Sequence, residues 1–256
     1  MFELINRIAR ILQDSGIANY RQESRWIAEE SPDAAAALEN ARRRGAGEPL
    51  QYILGTAPFR NLMLKVDPRV LIPRPETETL VQWIIDRAPT GASVLDLGCG
   101  SGAISISLAD ERRDLQVTAA DISIDALELA QENARECGVE IEFLHSDLFS
   151  ALSGRKFDFI AANLPYVTES EYAELDPEVR EYEPVLALTA PDDGLELILK
   201  TIARLPEHLL PGGRAIFELS PPQTGRTIRA LNAVGLHGEI VKDLCGRDRF
   251  VTGSSL

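Results

Sequence analysis

Three glycines at alternate positions, Gly98, Gly100 and Gly102 in "VLDLGCGSGAISISLA", stand between an apolar strand and a helix. Glycine permits a tight turn and a close backbone approach, and a helix start offers unpaired amides, which together suit a nucleotide-like ligand. Gly98, Gly100 and Ala103 also satisfy the G-x-G-x-x-[G/A] dinucleotide pattern, so the loop alone leaves the nucleotide open. Asp121 ends the next strand, "LQVTAAD", where a carboxylate can hold the ribose hydroxyls of NAD or of S-adenosylmethionine alike. A second group of chemistry-bearing types closes the run "FIAANLPYV" as Asn163-Leu164-Pro165-Tyr166. Taken alone, Asn and Pro there read as a strand running into a turn.

Bringing these residues together requires strands whose ends converge. Residues 1–45 read as helices: Leu4, Ile5, Ile8, Ile11 and Leu12 recur at helical spacing, and Gly16 is a stop. In "SPDAAAALENARRRG", Ser31 is the expected N-cap and Pro32 the first helical residue. From Pro49 to Pro75 the chain becomes extended and proline-punctuated, and the alternation of Leu62, Leu64 and Val66 predicts a short hairpin. After Glu76 a helix leads into alternating strands ("SVLDLG", "LQVTAAD", "IEFLHSD", "FDFIAAN", "RAIFELS" and a last strand) and helices (from Ala103, Ile124, Asp193 and Thr224). Such alternation predicts an α/β fold with a parallel, doubly wound sheet. The expected division is a helical domain over 1–60, a hairpin linker over 61–75 and an α/β domain over 76–256.

Composition narrows the partners. The 256 residues carry a net charge of −14, which argues against a partner held by phosphate neutralisation and favours a small-molecule or protein substrate. The basic cluster "ARRRG", Ala41 to Gly45, is expected to be a solvated helix end. Cys99, Cys137 and Cys245 are widely spaced and form neither a disulfide framework nor a metal pattern. No apolar run approaches a membrane span, and residues 1–20 do not make a signal peptide; a cytoplasmic protein without a membrane partner is expected.

Asp96, preceding the glycines as D-x-G-x-G, resembles motif I of class I S-adenosylmethionine-dependent methyltransferases, a Rossmann-like fold with a mostly parallel sheet. Asp147 in "HSDLF" falls where those enzymes place a polar residue beside the adenine. "NLPY" resembles their (N/D)PP(Y/F) motif, which serves methylation of planar, amide-like nitrogens. An amide nitrogen is a poor nucleophile because its lone pair is delocalised, so transfer needs groups that accept hydrogen bonds from the NH2. The Asn163 side-chain oxygen and the carbonyl of Leu164 can do so, Pro165 restrains that carbonyl, and Tyr166 offers a flat face for stacking. Leu164 replaces the usual proline, and a carbonyl is supplied equally well by either.

"EPLQYILG", "VLIPRPETETLV", "VLDLGCGSGAI", "NLPY", "EYEP", "DGL" and "DLCGRDRF" occur in this order across nearly the whole chain. Together they resemble the protein-(glutamine-N5) methyltransferases of peptide-chain release factors, the PrmC/HemK family. The resemblance implies S-adenosylmethionine as cofactor and the glutamine of the Gly-Gly-Gln motif of class 1 release factors as acceptor. It maps cofactor contacts to Gly98, Cys99, Gly100, Ser101, Gly102, Asp121, Leu148 and Asn163, and acceptor contacts and catalysis to Asn163, Leu164, Pro165 and Tyr166. Leu148 replaces a frequent aromatic; "ALTAPDDGL" and "ELSPPQ" lack usual glycines. Arg74 and Glu76 are expected to lie near the cofactor or to lock the two domains, and the helical domain to recognise the release factor. A nucleic-acid adenine methyltransferase would be expected to carry a basic surface, and no nucleic-acid substrate is expected here. A ribosomal-protein glutamine would use the same motif, and an NAD-dependent oxidoreductase would leave "NLPY" unexplained.

Overall fold

The computed structural model describes residues 1–191 and 193–255; Asp192, within "ALTAPDDGL", and Leu256, the last residue of the expected α/β domain, lie outside the described residues. Helices α1 (Phe2–Asp14), α2 (Tyr20–Glu30) and α3 (Ala34–Gly45) pack through the apolar stripes seen in the sequence, burying Ile8, Leu12, Ile27, Ala37 and Ala41 in one cluster. The N-cap of α3 is Asp33, two residues beyond the expected Ser31: its Oδ1 accepts from the Ala35 and Ala36 amides, both at 2.8 Å. A carboxylate satisfying two unpaired amides at the positive end of a helix outcompetes a serine hydroxyl, and Ser31 accepts instead from Asn40 at 3.1 Å.

"PLQYILG" also differs from its extended reading. It forms α4 (Leu50–Leu54), which Gly55 ends at φ +75°. The antiparallel hairpin β1 (Thr56–Phe59) and β2 (Leu62–Lys65) therefore starts ahead of position 61, inside the span assigned to the helical domain. Its turn uses Arg60 at φ +52°, a conformation unfavourable for a side chain with a Cβ, which the sequence does not advertise. Three residues hold it there: the Arg60 amide donates to Glu78, and its guanidinium reaches Gln82 and Glu111.

A one-turn 3-10 helix, Pro75–Thr77, opens α5 (Glu78–Ile85). Then follow β3 (Ser93–Leu97), α6 (Ala103–Glu111), β4 (Gln116–Asp121), α7 (Ile124–Cys137), β5 (Glu142–His145) and β6 (Phe157–Ala162). The connection after β6 contains three short helices absent from the sequence reading, α8 (Glu169–Glu174), α9 (Pro177–Tyr182) and α10 (Val185–Leu188). The chain ends with α11 (Glu196–His208), β7 (Leu209–Glu218), α12 (Thr224–Ala233), β8 (Leu236–Lys242) and β9 (Asp248–Ser255).

The sheet order is β5-β4-β3-β6-β7-β9-β8, parallel from β5 to β7. The expected single last strand is two strands, with β9 antiparallel to both β7 and β8. Strand β6 is buried on both faces: Phe159 and Ala161 enter one core cluster, and Phe157, Ile160 and Ala162 the other. Such two-sided burial is what makes parallel strands read as continuous apolar runs. After β5 the chain crosses to β6 on the far side of β3, so the carboxyl ends of β3 and β6 flank the topological switch point.

Side chains tie the hairpin and helices to this sheet. Asn133 of α7, 1% exposed, accepts from the Lys65 amide at 2.7 Å and donates to the carbonyls of Lys65 (3.1 Å) and Ser101 (3.0 Å). "ARRRG" is a solvated helix end only in part. Arg42 is exposed beside Glu39, whereas Arg44 is buried, bonded to Glu23 of α2 at 2.7 Å and Glu178 of α9 at 2.8 Å. We expect Asn133→Ala, which leaves buried backbone groups unpartnered, to lower stability by about 2–3 kcal/mol in urea unfolding. A change within error would remove Asn133 as the anchor of the hairpin.

Candidate active site

At the carboxyl ends of β3, β4 and β6 lies a cavity of about 250 Å³. All five residues Gly98, Cys99, Gly100, Ser101 and Asp121 line it, with Leu148, Asn163, Leu164 and Pro165; Gly102 sits just behind as the N-cap of α6.

The loop's shape follows from its glycines. Gly98 and Gly102 have φ +76° and +81°. A Cβ on Gly98 would come 2.9 Å from Leu164 Cδ2, and one on Gly102 2.8 Å from Ile106 Cδ1. The amides of Gly98 and Cys99 both donate to the Ala120 carbonyl, at 2.8 and 3.1 Å. Since Gly102 has no side chain with which to cap α6, Asp96 does so from the strand before: its Oδ2 accepts from the Ser105 amide at 3.0 Å. Asp96 is wholly buried and its Oδ1 has no partner among the described residues; burial pushes its pKa up to about 7. Asp121 joins two elements, accepting from the Gly100 amide at 2.8 Å and the Ser123 amide at 2.9 Å. Burial raises its pKa, and these amides oppose the rise. Cys99 is buried and its thiol is pushed up by burial, so it contributes a wall and not a thiolate.

Further along the wall, Ile122 is half exposed beside Asp121, and Asp147 presents an exposed carboxylate. Leu148 has φ +47°, a strained backbone for a leucine, fixed by a bond from Ser146 Oγ to its carbonyl at 2.6 Å. The carboxylates that can meet ribose hydroxyls, the apolar faces of Ile122 and Leu148 that can meet a flat base, and the close-approach glycines fit an adenosine-bearing cofactor.

Asn163 follows the last residue of β6. Its Nδ2 donates to Thr77 Oγ1 at 3.4 Å, and Thr77 in turn donates to Glu218 Oε2 at 2.7 Å. Among the described residues no group donates to Asn163 Oδ1 or to the Leu164 carbonyl, although both residues line the cavity. The Leu164 side chain is buried against Gly98, so the residue in place of proline also packs the two motifs together.

Tyr166 stands elsewhere. It does not line this cavity; its ring packs on a core cluster, and burial with Glu218 nearby pushes its pKa up to about 12. Its carbonyl is held by Gln223 Nε2 at 3.0 Å, and Gly194 passes so close that a Cβ there would collide with the same carbonyl. The "DGL" and "ELSPPQ" stretches thus brace the end of "NLPY". Arg74 also lines the cavity and pairs at 2.5 Å with the buried Glu183 of "EYEP", which accepts from the Ile72 amide at 3.1 Å as well. Glu76 is partly buried close by.

Thr77, Ile122, Gln223 and Glu218 were missed by sequence reasoning. Ile122 was within reach, since it directly follows Asp121. The others lie in stretches already marked, "RPETE" and "ELSPPQ", but their meeting at the site depends on the fold and not on local sequence.

The family model described as Methyltransferase small domain matches residues 75–176. The release factor glutamine methyltransferase of Geobacter sulfurreducens is 36% identical over 94% of this chain and 92% of its own. That of Lactococcus lactis subsp. lactis is 41% identical over 84% of this chain and 80% of its own. Among solved structures, a methyltransferase from Pyrococcus furiosus shares the fold, with a TM-score of 0.59 at 17% identity over 77% of this chain and 90% of that one.

Gly98→Ala adds strain at a positive φ and pushes on Leu164. It should weaken S-adenosylmethionine binding by about tenfold or more in calorimetry, with the circular dichroism of the fold unchanged. Unaltered affinity would mean that the loop does not hold the cofactor.

Proposed function

The chain belongs to the release factor glutamine methyltransferase family, and from that premise we propose that it transfers a methyl group from S-adenosylmethionine to the side-chain amide nitrogen (N5) of the glutamine in the Gly-Gly-Gln motif of class 1 release factors. S-Adenosylmethionine, when bound, supplies an electrophilic methyl group on its sulfonium. The residues of this chain do the rest. Gly98 to Gly102 would give it backbone room and amides, Asp121 would accept from its ribose, and Ile122, Asp147 and Leu148 would enclose its base.

One observation carries the reading: Asn163 and Leu164, whose side-chain oxygen and carbonyl have no donor among the described residues, line the same cavity as the glycine loop. A primary amide has two N–H groups, and two fixed acceptors orient it. Bonding to both N–H groups also stabilises the positive charge that develops on nitrogen as the methyl arrives. Pro165 restrains the backbone of Leu164, and with it the direction of the second carbonyl. The stacking role of Tyr166 rests on the resemblance alone, because its ring lies off the cavity wall. The dinucleotide alternative gives Asn163 and Leu164 no task.

Incubation with a class 1 release factor and S-adenosylmethionine should add one methyl mass to the glutamine of its Gly-Gly-Gln peptide. Label passing only to a ribosomal protein, or to RNA or DNA, would overturn the acceptor. We further expect Asn163→Ala to lower turnover by about 10²–10³ while cofactor affinity changes far less. Turnover equal to the unmutated protein would remove Asn163 from the mechanism.

A further inference from the structure

We propose that Thr77 and Glu218 are positioning residues that set which end of the Asn163 amide faces the acceptor, an inference that rests on the amide-methylating function given above. The two ends of an asparagine amide have nearly the same shape and opposite hydrogen-bonding character. Only the oxygen end can accept from the glutamine NH2; with the ends exchanged, Asn163 would point its own N–H groups at another donor.

The hydrogen-bond chain removes that choice. A carboxylate only accepts, so the Thr77 proton goes to Glu218 Oε2, 2.7 Å away. The Thr77 oxygen then has lone pairs alone to offer at its other side, and the Asn163 atom 3.4 Å from it is fixed as Nδ2. That separation is long, of the kind that shortens when a site fills. Thr77 is 4% and Glu218 3% exposed, so little water competes for either bond. The three residues come from separate segments: the 3-10 turn of "RPETE", the end of β7, and the end of β6.

The charges facing Glu218 are Arg249 of β9 and, from the linker, Arg74 and Glu76; the Tyr166 hydroxyl is also close. Burial raises the Glu218 pKa and Glu76 adds to this, against Thr77, Arg249 and Arg74, with the result at about 7. Protonated on Oε2, Glu218 donates to Thr77, which frees the Thr77 proton to turn toward Asn163 and favours the reversed amide. Turnover should therefore be full above pH 7 and fall as the pH drops through it.

The test uses the full chain with a release factor. Thr77→Val keeps the shape and removes the hydroxyl. It should lower kcat roughly tenfold to a hundredfold, leave KM for S-adenosylmethionine within about twofold, and abolish the acid limb near pH 7. Thr77→Ser should restore both rate and limb. The side-chain amide resonances of Asn163, identified by their loss in Asn163→Ala, should move in Thr77→Val and stay in Thr77→Ser. A Thr77→Val enzyme with the kcat and pH profile of the unmutated protein overturns the positioning role. Unmutated protein that leaves the release factor unmodified overturns the function instead. In that event the amide resonances still decide the hydrogen-bond chain, which falls if Thr77→Val leaves them in place.

Discussion

Leu97 of β3 lies opposite Ala162 of β6 in a parallel pair, and the next residues of the two strands are Gly98 and Asn163. This register places the glycine loop beside the Asn-Leu-Pro-Tyr segment without any further device. A slip of one residue would exchange the faces of β6 and put the polar end of the strand into a core cluster. The packing of Leu164 on Gly98 reinforces the pairing just beyond the last ladder bonds. Both motifs are thus rigidly related through a fully buried part of the sheet.

The legible parts of the fold were those written in local signals. The glycine loop, the end of β6 at Asn-Leu-Pro-Tyr and the amphipathic helices each occupy one short stretch, and each formed where its pattern lies. Features depending on distant partners could not be read this way. Arg60 turns the hairpin only because Glu78, Gln82 and Glu111 hold it, so the hairpin began earlier than alternation implied. Asp33 displaced Ser31 as a cap because the chain brought its carboxylate onto two amides. Thr77 and Glu218 are 141 residues apart and neither belongs to a periodic or glycine-marked pattern. Tyr166 shows the converse limit: its place in a motif suggested a flat face for stacking, and the partly buried ring packs against a core cluster instead of lining the cavity.

The acidic balance of the sequence hides a few arginines with specific structural tasks. Arg44 joins α2, α3 and α9, and Arg74 joins the linker to Glu183. Glu23 and Glu183 are buried, so these bonds compensate charges that would otherwise be costly to remove from water. They span the helical segment, the linker and the connection after β6, and the last two of these also line the cavity. The stretches "RPETE" and "EYEP" meet in one such pair, Arg74 with Glu183.

Strand β9 follows β8 in the chain yet lies between β8 and β7. While the polypeptide is being made, β7 has an open edge and β8 has no partner until residues 248–255 have emerged. The half of the sheet that carries the glycine loop, β5-β4-β3, needs none of these residues. Glu218 pairs with Phe250 across that late-filled edge, so its surroundings are completed by a segment more than thirty positions downstream. Completion of the sheet therefore runs in an order, and the edge beside Glu218 closes only once β9 inserts between β7 and β8.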